Sequence, residues 1–378
     1  MVLAVKPGSA GLSPQFSLFL DLARVLAACA VVLCHFGAQR MSGGALWFLN
    51  PYGAQAVDVF FVLSGYLVSA AAQREPSAAR FAANRASRIY SVAVPAVALT
   101  FLLDAAGRQW APALYATIPA YAPGHPALAL QAASGLLFFN QAWLLTIPVG
   151  ANVPWWSLGY EVAYYVAFGL FWYGGKWVRV IGPLLVAALA GPTIVALALL
   201  WLAGAAVRHG HDRGWPSRNA GRALATAAPL LWGAYEAWVH FHGRPFGVVP
   251  WMRPELLQDV LVGGLFAAFL AGVPRVLATR PVAPGAARAI RFLAGRSFAL
   301  YLLHYPIMLC LHAAMLRWDP SLSPYWLLAG TAGLVLGLAE LTERRQALWR
   351  DMFTLAGGRV RQARKRFFLE KEAKTFIH

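Results

Sequence analysis

Asp21, Arg24 and His35 lie inside one apolar run, Leu18 to Ala38, LFLDLARVLAACAVVLCHFGA. An imidazole exchanges protons near neutral pH, and a guanidinium holds phosphate or carboxylate oxygens in a planar fork. Arg24 and His35 are 11 residues apart, which on a helix is three turns plus roughly 20°. Both side chains therefore share one stripe, ~16 Å apart along the axis. Asp21, one turn before Arg24, is placed to pair with it. A charged group near the centre of a membrane span costs ~2.5–3.5 kcal/mol on insertion scales, so such groups are rare and usually functional.

The run itself is long enough to cross a bilayer, which takes ~20 mostly apolar residues. Of the 378 residues 59% are hydrophobic and only 12% charged, with a mean hydropathy of +0.55, which excludes an ordinary soluble domain. The formal charge of +17 does not point to nucleic acid, because the basic residues sit in short loops between apolar runs and in the C-terminal tail, as positive-inside orientation requires. Cys29, Cys34 and Cys310 fall within apolar runs and form neither a disulfide framework nor a metal pair. Residues 1–17 carry one cation, Lys6, and no cleavage site follows the first run, which reads as an uncleaved span. The expected architecture is an all-α polytopic transmembrane helix bundle of about ten spans, with both termini cytoplasmic and no soluble domain. Residues 1–17 form an N-terminal segment, 18–343 the membrane domain and 344–378 a basic tail. The tail holds RVRQARKRFF at 359–368, a patch suited to anionic lipid.

A second span, about 54–72, contains Asp58 and the small pair Ser64-Gly65, which would let a neighbouring helix approach closely. The loop with Arg74, Arg80, Arg85 and Arg88 follows, then a third span at 89–106 with Pro95 inside it. Residues 132–207 thread in two ways. Either 132–146 spans and 178–207 is one long helix, or 132–146 is re-entrant and 178–207 folds as two short spans about Gly191-Pro192. The second keeps Lys176 and Arg179 on the basic side and puts Glu161 on the far side with His35, and the charges favour it. Spans follow at about 223–240, 256–273, 297–316 and 323–341. The HxH pairs His209/His211 and His240/His242 lack a third ligand at usual spacing, so no metal is expected. There is no GxGxxG and no P-loop, and nothing argues for nucleotide hydrolysis. On ionisable groups alone, a secondary transporter or flippase using Asp21, Arg24, His35 and Asp58 as a coupled pathway is the competing class.

Several stretches in order resemble the acyltransferase-3 family of bacterial integral-membrane acyltransferases. LDLARVLAACAVVLCHF matches its pattern of Arg, ten residues and His with a preceding Asp. DVFFVLSGYL matches its FFxxSG signature, and NRASRIY at 84–90 its RxxR element. WWSLGYE at 155–161 resembles its Trp-Ser-Leu-x-x-Glu segment, and SFALYLLHYP at 297–306 its S-x-x-x-Tyr-Leu-x-His-x-Pro span. LTERR at 341–345 has Arg345 where the family ends on Pro, Ser91 stands where a Pro is usual, and Val162-Ala163-Tyr164 replaces a more polar run.

The resemblance implies transfer of an acyl group, often acetyl, from cytosolic acyl-CoA to a hydroxyl of a glycan or glycolipid at the far face of the bacterial cytoplasmic (inner) membrane. His35 would be the general base, with a carboxylate, Asp58 or Glu161, on its other ring nitrogen. Arg24, Arg85 and Arg88 would hold the donor phosphates, joined by Ser64, Gly65 and Tyr66 of the FFxxSG stretch. Asp21 would pair with Arg24, and Tyr301 and His304 would contact donor or acceptor. Acceptor specificity would lie in loops such as 107–131 and 241–255.

Overall fold

The computed structural model describes residues 12–243, 255–277 and 282–354. Lys6, Arg280, the greater part of the 241–255 loop and the basic run at 359–368 lie outside the described residues. Among the described residues the chain is helical, without strands: α1 Pro14–Phe36, α2 Gln39–Ser42, α3 Tyr52–Ala72, α4 Ala78–Trp110, α5 Pro112–Ala116, α6 Leu128–Leu136 and α7 Trp156–Tyr173 form its first half. The second half holds α8 Val178–Ala190, α9 Pro192–Asp212, α10 Arg218–His242, α11 Leu256–Gly272, α12 Pro284–Ala294, α13 Ser297–Trp318 and α14 Tyr325–Leu341. Among the described residues seven helical segments, built on α1, α3, α4, α9, α11, α13 and α14, are long and apolar enough to cross a membrane, against the ten or so expected. The chain is a polytopic all-α bundle.

Local signals set the ends. Ser13 caps α1 by accepting the Phe16 N–H at 3.2 Å, with Pro14 at the first helical position, where its missing N–H costs nothing. Ser77 caps α4 in the same way. The run 178–207 is broken between α8 and α9 at Gly191, whose φ of +91° suits glycine, and a Cβ there would stand 2.6 Å from the Trp143 backbone. The 132–146 stretch is not a span: α6 covers nine residues and the chain then turns back against the α8 end, Trp143 N–H donating to Ala190 O. Both features follow the second of the two threadings, but Glu161 stands among the arginines and not with His35 as that threading expects.

Helix α3 is the central post, packed against α1, α7, α9 and α11. Its contact with α9 is close because glycines face backbone: a Cβ at Gly65 would lie 1.8 Å from Trp201 O, and one at Gly204 1.9 Å from Val62 O. Neither obstacle is a side chain that could swing away. Gly65→Ala is therefore expected to destabilise the protein by about 3 kcal/mol, as overpacking does, while Ser64→Ala leaves the α3–α9 fit intact. Thermal unfolding in detergent checks the order of the two.

Candidate active site

The stripe on α1 is realised with its two ends in different surroundings. At the first end Arg24 donates to Asp21 at 2.5 Å, as the one-turn spacing requires. Arg24 lines a cavity of about 250 Å3 with Ser64 of α3, Arg74 of the following loop, Arg85 and Arg88 of α4, Glu161 of α7 and Tyr301 of α13. Four guanidinium groups and one carboxylate, Glu161, line it, and with Asp21 on Arg24 and Glu343 close to Arg24 and Arg88 the cations remain in excess, which suits an anion. The arginines are held by aromatic faces: Arg85 against Tyr165 at 5.9 Å and Phe81 at 6.0 Å, and Arg88 against Phe298 at 6.0 Å. Arg24 Nε and Arg85 Nε are buried without a hydrogen-bond partner, donors left over for a ligand.

At the other end His35 Nδ1 lies 2.8 Å from His304 Nε2 on α13. His304 Nδ1 is 2.9 Å from both Leu300 O and Tyr301 O. Carbonyl oxygens only accept, so this nitrogen carries the proton and the Nε2 of a neutral His304 is a lone pair. His35 Nδ1 must then donate to it, which leaves the lone pair of His35 on Nε2. The tautomer is that of a base. Tyr305 stands edge-on to the His35 ring, with centroids 4.9 Å apart, and accepts from Arg40 at 2.5 Å.

The proline inside α13 is part of this arrangement. Pro306 has no N–H for Leu302 O, and Asn152 supplies the missing donor from its side chain at 2.9 Å. Ser157 meets the Tyr301 hydroxyl at 2.7 Å, and that hydroxyl also donates to Pro154 O. The WWSLGYE stretch thus fixes the turn of α13 just below His304. A third buried knot holds the far-side connection: Asp104 Oδ2 accepts from Tyr121 O–H at 2.5 Å and Ala151 N–H at 2.8 Å, and Arg108 lies over the Tyr121 ring.

Three expectations change. An imidazole, not Asp58 or Glu161, faces His35 Nδ1. Glu161 Oε1 accepts from Ser64 at 3.0 Å and from Tyr165, which sets it level with Ser64 in the arginine cavity. Gly53 packs on Cys34, so Ser64 sits 11 residues, ~16 Å, down α3 from the level of His35. Asp58 is buried within α3, five residues down from Gly53. Gly65 and Tyr66 do not line the cavity: Gly65 faces α9, and the buried Tyr66 bonds His211 Nδ1 at 3.0 Å. Ser64 does line it. Among the HxH pairs, His211 is engaged by Tyr66 and Ala271 O, and no group of three potential metal-binding side chains occurs among the described residues. Arg40, Arg74, Tyr165 and Tyr305 were not singled out, although Tyr305 lies beside His304 in the SFALYLLHYP stretch, which was the one signal for it.

A membrane bundle with a basic cavity at one end and an oriented imidazole at the other suits group transfer between two faces. The chain belongs to a family of acyltransferases: the profile of the acyltransferase domain matches residues 17–339. It is similar to the acyltransferase MdmB of Streptomyces mycarofaciens, 34% identical over 161 residues, 40% of this chain and 37% of that protein. It is also similar to an O-acetyl transferase of Shigella phage Sf6, 41% identical over 84 residues, 22% of this chain and 25% of that protein. The matched stretches thus cover well under half of these curated relatives. No solved structure matches the chain.

Proposed function

We propose that the protein is an O-acyltransferase of the bacterial cytoplasmic membrane, moving an acetyl or other acyl group from cytosolic acyl-CoA to a hydroxyl of a cell-surface or lipid-linked glycan. The observation that carries this reading is the His35–His304 pair, which leaves a ring nitrogen of His35 free to accept a proton on the same helix stripe as Arg24. An alcohol is a weak nucleophile and must lose its proton as it attacks. His35 Nε2 takes that proton while the alcohol oxygen bonds to the thioester carbonyl carbon. The C–S bond then breaks, the ester forms, and the departing thiolate recovers a proton from His35. His304 does not touch the reactants in this scheme. It holds the tautomer and is a positioning residue.

Arg24, Arg85 and Arg88, with Arg74, hold the phosphates of the donor, whose arm runs from that cavity toward Tyr301 and His304. Glu161 acts in the cavity through Ser64 and Tyr165 rather than at the imidazole. Both termini and the basic loops face the cytosol in this orientation. The transporter reading has no observation of its own beyond the ionisable residues.

The test uses the full chain in proteoliposomes with its basic face outward, supplied with acetyl-labelled acetyl-CoA and glycan acceptor inside. Label is expected in the glycan, across the bilayer. Transfer that needs no acetyl-CoA, or none at all with the glycans of the source cell envelope, would overturn the assignment.

A further inference from the structure

The face of α1 opposite the Arg24–His35 stripe borders a second cavity. It is about 640 Å3, bounded by α1, α3, α10 and α11, and lined by Leu26, Ala30, Val59, Trp232 and Phe266 among others. Leu22 and Leu26 in its wall are exposed, so it opens sideways where a bilayer would lie. Apolar walls in a membrane bundle are ordinary. One end of this groove is not.

There Gln55, 3% exposed, donates to Glu236 Oε1 at 2.7 Å, and Trp232 Nε1 donates to the same oxygen and to Gln55 Oε1, each at 3.1 Å. Glu236 itself stands behind Gln55 and Trp232, the two residues that line this end of the groove. Tyr52 lines the same end. Gly53, between Tyr52 and Gln55, packs so closely on Cys34 that a Cβ would lie 2.3 Å from its sulfur. The polar end therefore stands at the level of His35, the next residue along α1, and the apolar length runs toward the Arg24 end.

An apolar groove ending in an amide and two aromatic rings, with a carboxylate behind them, matches a lipid chain joined to a polyol. Sugar hydroxyl groups can bond the Gln55 amide, and the apolar face of the ring can stack on Trp232 and Tyr52. A phosphate in the same place would face the Glu236 carboxylate at short range, in surroundings that screen charge weakly. We infer that this groove takes the lipid part of an uncharged glycolipid, entering from the side, and holds its sugar at the polar end, from which it reaches His35 over the end of α1, one residue further on. The binding does not depend on the O-acyltransferase reading; that the bound sugar is the acceptor does.

The experiment reads binding first. The full chain is reconstituted in phosphatidylcholine vesicles containing monoglucosyl diacylglycerol with a photoactivatable group in one acyl chain, then irradiated and mapped by peptide. Labelling is expected on α1, α3, α10 and α11 facing the groove, suppressed at least tenfold by excess unlabelled glucosyl lipid and not by phosphatidylglycerol. Ala30→Trp, which fills the groove, and Glu236→Gln, which alters only its polar end, are each expected to cut labelling several-fold. Equal competition by phosphatidylglycerol, no labelling at the groove, or unchanged labelling in both variants overturns the inference. Acetyl transfer is measured separately on the same vesicles. Its absence with specific labelling retained strikes the proposed reaction, whereas transfer to soluble methyl glucoside that persists without specific labelling strikes the groove alone.

Discussion

His35→Ala is expected to lower acyl transfer by about 10²–10⁴, the usual contribution of a positioned general base, with donor affinity little changed. His35 lies at the far end of the stripe from the arginine cavity and does not line it, so donor binding and proton removal separate. The neighbouring histidine gives the sharper test. His304→Leu removes the acceptor for His35 Nδ1–H and lets the imidazole adopt the other tautomer or turn away, which is expected to lower kcat about a hundredfold with the donor KM unchanged. His304→Gln keeps a carbonyl oxygen to accept from His35 and an amide N–H₂ to donate toward Leu300 O and Tyr301 O, and is expected to restore part of the loss. A merely space-filling His304 would make leucine the better replacement. Full activity of His35→Ala would remove the proton-transfer scheme altogether.

The α1 stripe was legible because it depends on one helix only: 11 residues on a fixed pitch leave no freedom, and Asp21 pairs with Arg24 as a neighbour one turn away must. The arginine cavity was partly legible, since Arg85 and Arg88 lie three apart on α4 and a basic loop leads into them. What spacing could not deliver was the partner of His35. His304 is 269 residues away, and its reach depends on how α13 packs on α1 and how Asn152 takes up the carbonyl freed by Pro306. A carboxylate was the expected partner because carboxylates commonly orient a catalytic imidazole, yet backbone carbonyls do the same here at one remove. Glu161 misled for a related reason. Its depth follows from where α7 starts, and that depends on the turn of residues 137–155, which carries no periodic pattern. The FFxxSG stretch divides by helix geometry: Ser64 faces the cavity, while Gly65, 100° further round, meets α9.

The donor end yields the other large effect. Arg24→Ala is expected to weaken acetyl-CoA binding by about 10–100-fold, the loss of a charge-assisted hydrogen bond worth ~1.5–3 kcal/mol. The measurement is equilibrium binding of labelled acetyl-CoA to detergent-solubilised protein, so that a slow chemical step does not enter. Asp21 makes the outcome asymmetric. It accepts from one terminal nitrogen of Arg24, which fixes the guanidinium plane and leaves the other N–H groups toward the cavity. Arg24→Lys keeps the charge but loses the fork, and is expected to fall between wild type and alanine. Asp21→Asn keeps a carbonyl acceptor while removing the opposing charge, so the cavity becomes more positive and donor affinity is expected to hold or rise slightly even as orientation loosens. A double variant, Asp21→Asn with Arg24→Ala, should then bind no worse than Arg24→Ala alone, because the aspartate acts on the donor only through the arginine. If Asp21→Asn alone costs as much as Arg24→Ala, the aspartate touches the ligand itself, and the phosphate clamp has been drawn around the wrong residue.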